Sequence, residues 1–318
     1  MLPRHPWGDL APPSDAPGAD LTILGIPYDG AVCFRAGAAE APARLRAISH
    51  SSAAVSEDGY VVEPARFRVR DAGDVAPPRD AAGAADGSES AREAYFERVQ
   101  AAAAREMSSS FLFSIGGDHS VTIPLARAFA SAHPRFGMVL LDAHPDLFDT
   151  YDGSKTSHAC PMRRALETGA LEPRHLLILG TRSYHPTELA FMKEAGVRFV
   201  PARELVRMGM EAAVELARRQ LEGLPAVYLT LDIDVADPAC APGTGAPVAG
   251  GLSSRQLLDL TRGLLESLPV RAMDVVEIAP PLDPTDATLF LGLQIAFETF
   301  AVVARSRPAP ATRGSRSG

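Results

Sequence analysis

The sequence predicts an α/β fold: a largely parallel sheet with helices on both faces. Two observations carry this. Short apolar runs alternate with amphipathic helical patterns over most of the 318 residues, and polar residues gather where the apolar runs end. A third concerns length. The chain is long for one domain, yet none of its irregular stretches is long enough to separate two cores.

In chain order, the strand candidates are LTILGI (21–26), FRVRDAG (67–73), FLFSIG (111–116), FGMVLLDAH (136–144), HLLILG (175–180), VRFVPA (197–202), AVYLTLDID (226–234) and RAMDVVEIA (271–279). Helix candidates between them are residues 88–106, 187–196, 209–223 and 253–268, the last with Ser253 or Ser254 as N-cap before an amphipathic run. Residues 1–19, rich in Pro, Ala and Asp, predict an irregular arm. Residues 80–90 predict a polar surface loop, and the basic tail 305–318 predicts disorder. A single domain over 20–304 is expected.

An apolar fraction of 46% is enough for a sizeable core, and a formal charge of −8 argues against general nucleic-acid binding. Cys33, Cys160 and Cys240 are far apart and form no CxxC pair, which fits a reduced compartment. The N-terminus has no apolar signal region, and no stretch is expected to approach the roughly 18 to 20 apolar residues of a membrane span, so a cytoplasmic setting without membrane partners is expected.

The polar clusters all follow strands. LLDAHPDLFD (140–149) delivers Asp142, His144 and Asp146 at alternate positions, which in an extended chain share a face. TLDIDVADP (230–238) repeats the spacing with Asp232 and Asp234. SIGGDHS (114–120) adds Asp118 and His119, and DVVEIAPP (274–281) adds Glu277. In a parallel sheet, binding sites form beyond the carboxyl ends of the strands, where all four clusters fall. A lone Asp after a strand is ordinarily a cap or turn former, and Asp118 and Asp237 can be read that way or as supports behind a site. Four packed aspartates with no Lys or Arg among them, by contrast, need cations. Two divalent ions would balance Asp142, Asp146, Asp232 and Asp234, with His119 and His144 as neutral donors. The oxygen-rich set suits Mn²⁺ by ligand type, with other first-row ions open. Two such ions would generate a hydroxide nucleophile near neutral pH, and hydrolysis is the chemistry expected.

GGDHSVT, DAHPD and LDIDVADPACAPGTGAPVAGG, with DVVEIAPP behind them, resemble the ureohydrolase family of arginases and agmatinases. GIPYDGAVCFRAGAAEAPARLRAIS also resembles that family's N-terminal stretch, so the likeness runs from about residue 21 to about 303. The resemblance implies a three-layer α/β/α fold around an eight-stranded, mostly parallel sheet. It also implies two Mn²⁺ per chain, one held by His119, Asp142, Asp146 and Asp232, the other by Asp142, His144, Asp232 and Asp234. It gives Asp146 a proton-handling role, makes His158 a mobile proton shuttle and makes Glu277 the holder of a substrate guanidinium. A homo-oligomer, trimer or hexamer, is implied by analogy.

The resemblance is to the agmatinase-like branch. Leu147 and Phe148 follow Asp146 where arginases carry an asparagine for the carboxylate of arginine, and TSHAC replaces their GNxHG. The expected reaction is agmatine to putrescine and urea, with guanidinobutyrate, guanidinopropionate and proclavaminate precursors as alternatives. Asp149 or Asp152 is a candidate for attracting the agmatine ammonium, and Phe34 and Phe148 are candidates for lining the pocket. Thr230 stands where Ser is common, and Ala246 where Thr is common. A metallophosphoesterase would need its motifs in another order, a one-metal deacetylase fewer aspartates, and a non-catalytic relative would be expected to have lost ligands.

Overall fold

The computed structural model describes residues 5–11, 18–78 and 88–306. The predicted loop at 80–87 and the tail from 307 onward lie outside them. Eight strands form one sheet: β1 (Leu21–Ile26), β2 (Val69–Asp74), β3 (Phe111–Gly116), β4 (Phe136–Leu141), β5 (Leu171–Thr181), β6 (Arg198–Pro201), β7 (Val227–Asp232) and β8 (Val270–Val276). Their order is β2-β1-β3-β8-β7-β4-β5-β6, and every pairing is parallel. Each strand predicted from the sequence is found. β5 begins earlier than expected because Leu171 pairs with Phe136.

Nine helices of the described residues cover the sheet: α1 (Ala41–Ile48), α2 (Glu89–Met107), α3 (Thr122–Ala132), α4 (Pro161–Leu166), α5 (Pro186–Ala195), α6 (Ala202–Met208), α7 (Met210–Gln220), α8 (Ser254–Ser267) and α9 (Ala287–Arg305). Two apolar layers result. Phe113, Leu141 and Leu229 pack on one side with Leu257, Leu260 and Phe300 of α8 and α9. Leu112, Leu140 and Tyr228 pack on the other with Phe96 of α2 and Phe129 of α3. Both faces of β1, β3, β4 and β7 are therefore buried, which is why those strands read as unbroken apolar runs. The α8 N-terminus is set by Ser253, whose hydroxyl accepts from the Gln256 amide in a reciprocal capping box.

α9 is the main departure. The helix is 19 residues long and an 18-residue window of it has a mean hydropathy of 1.7, enough for a membrane span by length and composition and contrary to the sequence expectation, yet 78% of that window is buried in the protein. It is apolar almost all round because it is a core helix, so it shows no amphipathic period.

The expected arm is irregular over residues 5–11 but packed rather than loose. Trp7 is fully buried, its ring lies 6.1 Å edge-on from Phe300, and its indole N–H donates to Asp71 at 2.8 Å. Asp71 is also held by the Arg46 guanidinium at 2.7 Å. Trp7→Ala should therefore cost about 3–5 kcal/mol, read as a lower denaturant midpoint. A loss of less than about 1 kcal/mol would show that the segment is dispensable to the core.

Candidate metal centre

Four adjacent central strands, β3, β8, β7 and β4, deliver the polar residues to one edge of the sheet. The two-residue spacing of the motifs has a different origin from strand alternation. β4 ends at Leu141 and β7 at Asp232, so the clusters lie on the turns beyond. In each turn the first Asp bends the chain by accepting the N–H two residues on. Asp142 Oδ1 takes the His144 N–H at 2.6 Å, Asp232 Oδ1 takes the Asp234 N–H at 2.8 Å, and Asp118 Oδ1 takes the Ser120 N–H at 3.0 Å. The pair Gly116–Gly117 is needed for closeness rather than for a turn: a Cβ on Gly117 would stand 1.8 Å from the Tyr28 carbonyl oxygen.

The turns bring six side chains together. His119 Nδ1 lies 2.9 Å from Asp146 Oδ2, 3.2 Å from Asp142 Oδ2 and 3.3 Å from Asp232 Oδ2. His144 Nδ1 lies 3.0 Å from Asp234 Oδ2 and 3.5 Å from Asp142 Oδ1. His119, Asp142 and Asp146 could together hold one metal ion, and Asp142, His144 and Asp234 a second, with Asp142 common to both groups. His119 Nδ1 and Asp142 Oδ2 are buried without a hydrogen-bond partner. Burial, and then the neighbouring carboxylates, raise the pKa of Asp146, Asp232 and Asp234, the last to about 6. Burial would lower His144, but Asp234 and Asp142 push it up to about 12. A crowd of acids with unpaired donor atoms converging on common points fits divalent cations.

Glu277 and Asp146 are both non-glycine residues in the left-handed region, at φ +61° and +53°. Such strain costs on the order of 1–3 kcal/mol each and needs support from the surroundings. The Glu277 amide donates to the Gly117 carbonyl at 2.8 Å, and the Asp146 carbonyl accepts from the Met162 amide at 3.1 Å. Glu277 Oε1 in turn accepts the His119 N–H at 2.8 Å. His158 Nδ1 lies 3.7 Å from Glu277 Oε1, and its Nε2 is buried and unpartnered. Burial would lower the His158 pKa, but Glu277, then Asp146 and Asp118, raise it to about 10.

Of these groups, His144, Asp146, His158, Asp232, Asp234 and Glu277 line a cavity of about 270 Å³ whose wall also includes Phe148, Tyr151, Tyr184 and Glu188. The Phe148 ring stacks edge-on with Tyr151 at 5.0 Å and lies 5.3 Å from His185. Asp149 and Asp152 do not line the cavity. The Asp149 carboxylate instead accepts from the buried Arg164 guanidinium at 2.7 Å, which lowers its pKa and pins the loop from behind. Phe34 is 72% exposed, with Arg35 over its ring, and lies off the cavity wall. Asp118 acts as a cap that also accepts the Ala31 amide, and Asp237 as a turn former accepting three amides.

Three supports were not apparent from the sequence. Arg182 donates to the carbonyls of Asp234, Val235 and Ala236, fixing the turn that carries Asp234. Glu188 accepts the Leu147 amide beside Asp146 at 3.0 Å. Thr230 and Asp274 stand behind His119. Arg182 and Glu188 come from one segment, GTRSYHPTEL, that carries no ligand and so gave no motif.

Residues 19–301 match the model of the arginase family. The chain is 37% identical over 298 residues to a guanidinopropionase of Pseudomonas aeruginosa, covering 92% of this chain and 89% of that protein. It is 35% identical to an agmatinase of Neisseria meningitidis, covering 88% and 86%. The structure of proclavaminate amidino hydrolase from Streptomyces clavuligerus superposes with a TM-score of 0.84 at 30% identity, over 96% of this chain and 98% of that one. With one family model spanning nearly all the described residues and relatives above 30% identity along most of their length, the chain belongs to the arginase family.

Proposed function

We propose that this chain is a binuclear amidinohydrolase that cleaves a guanidino group to urea and a primary amine, with agmatine as the best-fitting substrate and putrescine as its amine product. The observation that carries this reading is the convergence of His119, His144 and four aspartates, of which His144, Asp146, Asp232 and Asp234 line one cavity together with Glu277. One Mn²⁺ would be held by His119, Asp142, Asp146 and Asp232, and a second by Asp142, His144, Asp232 and Asp234. Bound there, such ions supply positive charge and a water acidic enough to ionise near neutral pH.

The protein's own residues then divide the work. The Glu277 carboxylate faces the planar guanidinium, with one oxygen already fixed by the His119 N–H, so the substrate carbon is held rather than recruited. Asp146 takes up the proton lost by the attacking water. As the water oxygen bonds to the guanidinium carbon, the bond from that carbon to the substituted nitrogen breaks. His158, charged at neutral pH because Glu277 outweighs the effect of burial, passes a proton to the departing amine. Phe148, Tyr151 and Tyr184 exclude bulk water from the step.

The tail of the substrate meets aromatic rings and Glu188, and no Lys or Arg lines the cavity. An ammonium over aromatic faces gains about 0.5–2 kcal/mol, whereas a carboxylate tail finds no cation. A second reading, a guanidino acid, is favoured by the guanidinopropionase relative and by the Tyr151 and Ser183 hydroxyls on the wall. Urea release by Mn²⁺-loaded protein from agmatine, arginine, guanidinobutyrate, guanidinopropionate and guanidine decides between them. The expected result is the highest kcat/KM for agmatine. Preference for a guanidino acid would overturn the tail assignment alone. No urea from any of them, with two metals bound, would overturn the amidinohydrolase reading. A trimer or hexamer in a reduced, cytoplasmic setting completes the proposal, supported by family resemblance and by cysteines that are all free.

A further inference from the structure

We infer that Asp274, acting through the Thr230 hydroxyl, is a positioning residue that fixes the ring tautomer of His119 and so makes His119 Nδ1 a metal donor. This rests on the metal-centre reading above and deepens it.

The geometry is a linear relay. Thr230 and Asp274 are cross-strand partners on β7 and β8. Tyr228, two residues back along β7, shares a face with Thr230. Asp274 is fully buried and accepts from Thr230 Oγ1 at 2.6 Å, Tyr228 OH at 2.7 Å and Thr122 Oγ1 at 3.0 Å. Burial raises the Asp274 pKa against the lowering effect of these three hydroxyls, but with three O–H groups converging on it the carboxyl serves as their common acceptor. The single proton of the Thr230 hydroxyl is therefore committed to Asp274. Its oxygen is left as an acceptor, and the group within reach is His119 Nε2 at 3.0 Å. Nε2 must then carry the ring proton. His119 Nδ1 would then offer its lone pair to a cation held among Asp142, Asp146 and Asp232, whose oxygens lie 3.2, 2.9 and 3.3 Å from it. The other ring orientation would point a lone pair at a hydroxyl with no proton to give. A buried carboxylate that served only packing would be costly here. Through Thr230 it holds one imidazole in the state a cation requires.

Metal titration of the chelator-stripped full chain tests this. Wild type should take up two Mn²⁺. In Thr230→Val one of the two sites should weaken about 10- to 100-fold, while Thr230→Ser, which restores the hydroxyl, should stay within about threefold of wild type. Tyr228→Phe removes another donor to Asp274 without touching His119 and should also stay within about threefold. Unchanged affinity in Thr230→Val, equal loss in Thr230→Ser, or equal loss in Tyr228→Phe would each overturn the relay. Should Thr230→Val fail to fold, ¹⁵N-edited NMR of Zn²⁺-loaded wild type still decides. A hydrogen-bonded Nε2–H proton on His119 supports the relay, and a proton on Nδ1 overturns it. Wild type that binds no metal would sink the centre itself, whereas two sites unaffected by Thr230→Val would sink only the relay.

Discussion

An Asp142→Asn substitution should strip metal from the centre and cut urea release by at least about 10³-fold, more than the tenfold to hundredfold loss typical when an outer support of a ligand is removed. Asp142 is the residue shared by both ligand groups, with Oδ1 directed to His144 and Oδ2 to His119. Asparagine keeps the shape, and its oxygen can still accept the His144 amide that Asp142 Oδ1 holds at 2.6 Å. The NH₂ group then faces His119, so a donor stands where an acceptor is needed. Elemental analysis should find the His119 side empty, with the His144 side weakened by loss of a charge. The same experiment has a stability readout. A ligand at about 1,000 times its Kd stabilises a fold by about 4 kcal/mol per site, so chelation should lower the wild-type melting temperature clearly. The Asn variant should shift far less on chelation than wild type, because only its weakened His144 side still takes up metal. Full metal occupancy and activity in the variant would mean that Asp142 is not the shared ligand.

How much of this was legible in the sequence follows from where each signal lives. Strands buried on both faces leave an unbroken apolar run, so β1 and β3 were read to the residue. α8 was legible because its amphipathic stripe and Ser253 cap coincide. α9 was not, because a helix buried on nearly every side has no polar face to set a period. The six clustered positions were legible because they sit in three short turns after strands, and an Asp that bends its own backbone, as Asp142 and Asp232 do, leaves a local two-residue imprint. The imprint comes from the Asx-type turns at Asp142 and Asp232 rather than from strand alternation. Arg182, Glu188 and Asp274 reach the centre from just beyond β5, from α5 and from β8, across gaps of 41 to 111 residues along the chain for the contacts of Glu188, Arg182 and Thr230. Contacts of that kind leave no spacing to read. Asp149 shows the opposite failure: its position in the loop suggested a role in the pocket, and only the buried Arg164 reveals that its carboxylate is committed elsewhere.

Glu277→Gln should lower kcat/KM by about 10² to 10⁴ while leaving two metals bound. The isostere can still accept the His119 amide, which Glu277 Oε1 holds at 2.8 Å, so the backbone around His119 is preserved. What it loses is charge and one acceptor. A guanidinium bound by a carboxylate makes two charge-assisted hydrogen bonds, each contributing about 1.5–3 kcal/mol. Two of them span about 3–6 kcal/mol, which is the expected range of fold-change. The Gln amide would also turn N–H toward N–H. Stability should move the other way. Glu277 is buried, sits at φ +61° and raises the pKa of Asp118, second to burial, to about 7. Removing its charge relieves that repulsion, so the metal-free variant should melt at or above wild type, as when a site strained for function is relaxed. If Glu277→Gln keeps activity within about tenfold of wild type, the guanidinium is anchored elsewhere, and Glu188 becomes the carboxylate to test next. Loss of metal in the same variant would instead make Glu277 part of the centre rather than the group that faces the substrate.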